Sequence, residues 1–245
     1  MALKRSLTLF YPMYNELKSV EPMTRKALQV ISEIADEFEI LIIDDGSRDG
    51  SERIADELAK ADSHVRVIHH EGNKGYGQAL RTGFASASKD VVIYTDCDEP
   101  FDLNLIPEAL TRLEGHDMLI GYRLNRWEGW RRFAYSKIYN FLVRVLFGVN
   151  VRDVNFSFKM IRRDALRKLH LAAGSVFIDG ELLAEAVRHC LTITQMPIQY
   201  LPRKHGVSHF NSLRAATYTF EEIWAYRKRR QAEKNAAKQE VPLSL

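Results

Sequence analysis

Cysteine is scarce, long apolar runs are missing, and no nucleic-acid-binding module is recognisable. Cys97 and Cys190 are the two cysteines of a 245-residue chain. That is too few for a disulfide framework, so free thiols in a reducing compartment are expected. No stretch approaches the roughly 18 consecutive apolar residues of a membrane-spanning helix. Lys4 and Arg5 precede only a short apolar stretch before Pro12, which does not fit a signal peptide. The glycine-rich stretch Glu71–Gly83 contains neither G-x-G-x-x-G nor G-x-x-x-x-G-K-[ST]. It resembles a phosphate loop only loosely, and its glycines equally suit a helix packed close to a sheet. Without a module or an exposed aromatic platform, nucleic acid ranks last as a partner for the basic residues.

A hydrophobic content of 46% supports one sizeable core, or a core with an appendage. The net charge of +3 hides an asymmetry. Residues 1–121 carry 13 basic and 22 acidic side chains, and residues 122–245 carry 22 and 10. The window Tyr122–Lys168 alone holds 12 basic residues against 3 acidic ones. An acidic half joined to a basic half points to two different tasks.

The first half alternates between short β-rich runs and helical periods. Leu7–Phe10, Ile40–Ile43, Val65–Ile68 and Val91–Tyr94 read as strands, the second and fourth buried on both faces. Met23, Ala27, Val30, Ile31 and Ile34, and then Ile54, Leu58 and Ala61, keep a helical spacing. The alternation predicts an α/β fold with a mostly parallel central sheet and helices on both faces. Later segments predict a helix over Trp130–Gly148, a strand at Phe158–Ile161 and a helix over Asp179–Arg188. A strand at Ile193–Tyr200 and a basic helix from about Leu213 complete the pattern. The expected division is a main domain over 1–212 and a C-terminal basic helix and tail over 213–245.

Ligands of such sheets bind at the carboxyl ends of the strands, and the polar clusters fall there. Tyr11–Glu16 follows the first strand, Asp44–Ser47 the second and Thr95–Pro100 the fourth. This gathers Glu16, Asp44, Asp45, Asp96 and Asp98 on one edge. Asp96 and Asp98 suit a hard divalent cation, Mg²⁺ or Mn²⁺, shared with substrate phosphates. Cys97 between them points the other way in a β-like run and reads as packing. Trp130–Gly148 combines Phe133, Ile138, Phe141, Leu142, Val145 and Leu146 with Arg131, Arg132, Lys137 and Arg144. Aromatics and arginines on one helix suit a membrane interface, although an ordinary amphipathic helix docked on the core has the same pattern.

The ordered set Y-P-x-Y-N-E, I-I-D-D-G-S, N-x-G-x-G-x-A, T-D-x-D, G-Y-R and R-D-V-N-F-S-F-K-M-I-R-R resembles glycosyltransferase family 2. More narrowly, it is similar to the polyprenyl-phosphate sugar synthases of the dolichyl-phosphate mannose synthase type. The resemblance runs from about Leu7 to Phe210. It implies a GT-A fold, Mg²⁺ or Mn²⁺, a GDP- or UDP-sugar donor, and inverting transfer of a hexose, mannose or glucose, to dolichyl or undecaprenyl phosphate. Pro12, Tyr14 and Glu16 match the loop against base and ribose, and Asp45, with Asp44 beside it, the position contacting the base. Asp96 and Asp98 match the metal and diphosphate motif. Arg123, Arg132 or Arg131, and Arg203 match basic positions near the phosphates. Ser136 and Asn140 match polar positions on the membrane-facing helix.

Two positions depart from the family pattern. Pro100 stands where the family usually has a metal-binding Gln, and His209 stands in place of the Lys of G-x-S-K. Peripheral attachment to the cytoplasmic face of a membrane is implied, with a membrane-protein partner or a second copy compatible. Rival readings are a family member with a soluble hydroxyl acceptor, though Q-x-x-R-W is absent, and a non-catalytic nucleotide-sugar-binding protein. Because a phosphate monoester is largely dianionic at pH 7, the lipid-phosphate reading requires no essential base among Glu99, Asp102, Asp153 and Asp179.

Overall fold

The computed structural model describes residues 6–125, 130–201 and 213–239. Its strands are β1 (Leu7–Met13), β2 (Phe38–Asp44), β3 (Val65–His69), β4 (Val91–Tyr94), β5 (Met118–Arg123), β6 (Lys159–Arg162) and β7 (Ile193–Ile198). They form one sheet in the order β3-β2-β1-β4-β6-β5-β7. β6 runs antiparallel to both of its neighbours, while every other pairing is parallel. The sequence-based expectation of a mostly parallel sheet therefore holds, with one reversed strand.

Helices α1 (Val20–Ser32) and α2 (Ser51–Ala61) serve one face of the sheet. On the other lie α3 (Tyr76–Ser86), α5 (Trp130–Phe147), α7 (Phe177–Arg188) and α8 (Leu213–Gln239). Two short helices, α4 (Ile106–Arg112) and α6 (Arg163–Leu166), join strands at the rim. Period-two alternation sorts the strand residues between two cores. Leu9, Ile40, Ile42 and Ile93 enter the first, and Phe10, Leu41, Ile43 and Val92 the second. A strand feeding two cores reads as an unbroken apolar run, which is why β2 and β4 stand out in the sequence. β1 proves equally buried. β5 escaped prediction because Gly121 breaks its β-rich pattern. There a Cβ would lie 2.6 Å from Ile198 and 2.9 Å from Phe156.

The glycines of α3 serve close packing. A Cβ on Gly83 would stand 2.2 Å from the Phe10 ring, and one on Gly77 would stand 2.4 Å from the backbone of Gly174. The helix thereby lies against β1 at one end and against the loop before α7 at the other. α8 shares the second core through Ile223 and Tyr226. Arg229 Nη2 lies 2.7 Å from Glu181 of α7, and Tyr226 donates to Glu185 at 2.7 Å. Among the described residues, no helix is long and apolar enough to cross a membrane.

Candidate active site at the carboxyl edge of the sheet

Parallel strands β1, β2 and β4 end side by side, so their following loops share one rim. At the end of β1, the buried Tyr11 and Met13 flank the half-buried Pro12, and the half-buried Tyr14 and Glu16 follow in the loop. Asn15 takes a left-handed φ of 55°. It ties the loop to the β2 loop: its N–H donates to Ser47 Oγ, and its Oδ1 accepts from Arg48 N–H. Ser19 Oγ donates to Glu16 at 3.0 Å.

Asp44 and Asp45 are both buried and both engaged. Asp44 Oδ1 accepts from Ser47 N–H, and its Oδ2 lies 2.7 Å from His69 Nδ1. Asp45 Oδ1 meets His70 Nδ1 at 2.7 Å and Lys74 N–H at 2.9 Å, and Oδ2 accepts from Gly75 N–H at 2.9 Å. Asp44 thus meets two hydrogen-bonding groups and Asp45 three, which fixes both carboxylates in place. The aspartate expected at the donor base thus also fastens the glycine-rich turn that begins α3.

The β4 loop carries Asp96 and Asp98, each half-buried, with the buried Cys97 between them. Glu99 turns the chain with φ 50°, and Pro100 carbonyl accepts from Leu201 N–H. The expected packing role of Cys97 agrees with its place in the first core. Behind this loop runs a buried chain of polar groups. Tyr76 Oη lies 3.4 Å from Asp96 Oδ1 and 2.7 Å from Tyr94 Oη; Tyr94 Oη lies 3.1 Å from Asp179, and Lys159 Nζ lies 2.6 Å from Asp179. Burial, reinforced by the nearby carboxylates, pushes both phenols well above their ordinary range, so both stay protonated and can donate. Burial also raises Asp179, opposed chiefly by the Lys159 ammonium beside it. Tyr76, Tyr94 and Lys159 were missed as site residues. The available signal was a lone lysine between Phe158 and Met160 in an otherwise apolar strand. Tyr76→Phe is expected to raise the Mn²⁺ concentration giving half-maximal activity about tenfold, as removal of one charge-assisted hydrogen bond would. An unchanged Mn²⁺ titration would show that Tyr76 does not orient Asp96.

The basic half is more self-satisfied than its sequence suggests. Arg123, at the end of β5, makes a two-pronged pair with Asp153 (Nε–Oδ2 2.7 Å, Nη2–Oδ1 3.0 Å) and lies near the Phe156 and Tyr200 rings. Its expected work as a phosphate counter-charge is therefore shared with a buried carboxylate. Asn140 spans the turn before β6: its Oδ1 accepts from Val154 N–H, and its Nδ2 donates to Arg152 carbonyl at 3.4 Å. Ser136 is half-buried one turn earlier on α5. Arg131 and Arg132 open α5, but their side chains lie outside the described residues, as do Arg203 and His209 entirely.

Along α5, Tyr139, Val143, Leu146 and Phe147 dock on the second core, so the helix is a core helix on that face. Tyr135, Ile138, Phe141 and Val145 form a second apolar stripe, each 55–67% exposed. The reading as a helix docked on the core is therefore met on one face, while a second apolar face is left exposed.

The site thus joins a mixed α/β sheet to paired aspartates after its fourth strand and a glycine-rich turn held by a third. Residues 8–170 match the family described as Glycosyl transferase family 2, and the chain belongs to that family. It is 31% identical over 247 residues to the polyprenol monophosphomannose synthase of Mycolicibacterium smegmatis, covering 92% of this chain and 89% of that one. It is 29% identical over 210 residues to glycosyltransferase AglD of Haloferax volcanii, covering 80% of this chain but 33% of the relative. The chain thus spans about a third of AglD. The fold resembles glucosyl-3-phosphoglycerate synthase of Mycobacterium tuberculosis with Mn²⁺, UDP-glucose and phosphoglyceric acid. The TM-score is 0.65 at 21% identity, over 89% of this chain and 80% of the other. The same enzyme has been crystallised with Mg²⁺ and UDP; that structure matches with a TM-score of 0.60 at 22% identity, over 82% and 73% of the two chains.

Proposed function

We propose that this glycosyltransferase moves a hexose, mannose or glucose, from a GDP- or UDP-sugar to a polyprenyl phosphate, with inversion. The observation that carries the reading is the engagement of Asp102, Asp153 and Asp179, three carboxylates considered as bases. Asp153 is paired with Arg123, and Asp179 with Lys159 and Tyr94. Asp102 accepts from Asn104 N–H at the start of a short 3₁₀ turn. A hydroxyl acceptor needs a general base, whereas a phosphate monoester is already ionised near pH 7. The polyprenyl substrate implied by the name of the mycobacterial relative agrees with this chemistry.

Pro12, Tyr14 and Glu16 would line the nucleoside subsite, with Asp44 and Asp45 shaping its floor. Asp96 and Asp98 would hold Mg²⁺ or Mn²⁺. Two half-buried carboxylates fit such a cation when donor phosphates complete its shell, and no cluster of three or more ligating side chains occurs among the described residues. When bound, the metal would neutralise the departing diphosphate. The chain positions the reactants, and Arg131, Arg132, Arg203 and His209, with part of the Arg123 charge, would attract the phosphates. Ser136 and Asn140 would stand beside the acceptor path on α5.

The decisive assay compares polyprenyl phosphate with free polyprenol across a pH series. Turnover is expected with the phosphate only, rising with phosphate ionisation, in the parent and in Glu99→Gln and Asp102→Asn. Equal turnover of the free alcohol would overturn the reading in favour of a hydroxyl acceptor.

The exposed stripe of α5 would lie in a membrane interface, with Lys137 and Arg144 beside it to meet anionic headgroups. This reading places the protein peripherally on the cytoplasmic face of a membrane, and a membrane-protein partner or second copy would fit the same surface. Ile138→Asp with Phe141→Asp should abolish flotation with anionic liposomes at low salt, without lowering the melting temperature. Both positions are exposed, whereas Leu142 is half-buried and would confuse binding with folding. Unchanged flotation would assign the stripe to another use.

A further inference from the structure

A groove of about 540 Å³ lies between α3 and the segment from α6 to Leu171, and its lining includes Arg81, Arg163, Arg167 and His170. It is at the other end of the sheet from Asp96. β6 is antiparallel to β4, pairing Lys159 with Tyr94 and Arg162 with Val91. α6 therefore begins at the amino edge of β4, where Arg163 N–H donates to the Asp90 carbonyl. None of the residues placed above in the donor or acceptor subsites lines the groove.

Among the described residues, the lining holds three arginines and His170 and no carboxylate. Two are held in place by backbone carbonyls. Arg81 Nη1 donates to Ala172 carbonyl and to Gln78 Oε1, and Arg163 Nη1 donates to the Ser88 carbonyl. Such bonds fix each guanidinium without neutralising it, and they engage one of its three nitrogens. Among the described residues, the Arg167 side chain pairs with Asp164 at 3.7 Å, both side chains being largely exposed, a pair worth little in water. Like charges gathered in a concave site repel one another unless an anion relieves them. Phe84, Leu166 and Leu171 add apolar wall, and Thr82 and Ser86 add hydroxyls. The volume lies within the range usual for small-molecule sites.

We propose that this groove is a second anion site, binding a phosphate or diphosphate group outside the catalytic edge. The proposal does not depend on the identity of the acceptor. Its floor is wired to the donor loop: Thr82 Oγ1 lies 2.9 Å from His70 Nε2, whose Nδ1 contacts Asp45. Arg81 also steadies the loop whose Gly174 carbonyl accepts from Gly77 N–H. Occupancy would stiffen the turn that Asp45 holds.

The test is calorimetric titration of the full chain with inorganic pyrophosphate in EDTA at low salt, which suppresses metal-dependent binding at Asp96 and Asp98. Binding with a Kd at or below about 1 mM is expected, weakened at least about tenfold by Arg167→Glu. Arg167 is exposed, so its replacement should leave the melting temperature intact. In amide spectra, the shifts should fall on Gln78–Ala87 and Leu169–Leu171. Phosphatidylglycerol vesicles form the second arm. Loss of vesicle binding in Arg167→Glu, with weak pyrophosphate binding at the same amides, would assign the site to a lipid phosphate. No pyrophosphate binding and no effect of Arg167→Glu on vesicles would overturn the proposal. So would shifts confined to Gly75 and Thr95–Asp98, because the anion would then sit at the catalytic edge.

Discussion

Asp98→Ala is expected to cut sugar transfer roughly 10³-fold, and excess EDTA should do the same to the parent protein. The reason lies in the charge of the rim. Asp44 ends its strand and Glu16, Asp45, Asp96 and Asp98 follow theirs on one rim, so a donor diphosphate approaching them would meet repulsion. A divalent cation held by Asp96 and Asp98 would reverse that sign, and charge stabilisation by such an ion is worth several kcal/mol. At 1.36 kcal/mol per decade, this corresponds to two to four orders of magnitude in rate. Asp98 is half-buried on a loop, so its replacement should barely move the melting temperature. Mn²⁺ should restore activity to the EDTA-treated parent and not to the variant. Full activity in EDTA would remove the metal from the account. Pro100 has no side-chain ligand to offer, so rescue should require donor nucleotide as well as metal.

The second large effect concerns stability. Lys159 is fully buried and Asp179 is 2% exposed, with Nζ 2.6 Å from Oδ1. Lys159 Nζ also donates to Phe156 carbonyl at 2.8 Å, and Tyr94 Oη contacts both Asp179 oxygens. Lys159→Met leaves the Asp179 charge without its cation and is expected to cost about 3–5 kcal/mol. For a chain of this size that lowers the melting temperature by roughly 6–20 °C. The double variant Lys159→Met with Asp179→Leu should recover much of the loss, because an apolar pair of similar volume needs no desolvation. A melting temperature unchanged in the single variant would mean that water reaches the pair. The double variant should remain impaired in turnover, since the chain from Tyr94 through Tyr76 to Asp96 would have lost its anchor.

Much of the fold was legible because α/β proteins write it in local pattern. The runs Ile40–Ile43 and Val91–Tyr94 are apolar at every position, as strands between two helical layers must be, and they lie where expected. Asp44, Asp45, Asp96 and Asp98 were placed on one rim by topology alone, since parallel strands point their carboxyl ends the same way. β5 was not legible, because Gly121 belongs to it for the sake of Phe156 and Ile198 rather than for any β preference.

Charge partners were the other thing hidden. Arg123 and Asp153 lie 30 residues apart, and Lys159 and Asp179 lie 20 apart. Nothing in either segment announces the other. Sequence placed Asn140 on the correct helix and could not say that its amide pins the Arg152–Val154 turn. It showed that α5 was both apolar and basic, but not which apolar residues faced the core. Residue type and periodicity therefore determined the layers and the acidic rim. Only tertiary structure decided which charges were spent inside the protein, because pairing depends on the approach of segments distant in the chain, and burial makes each pairing nearly obligatory.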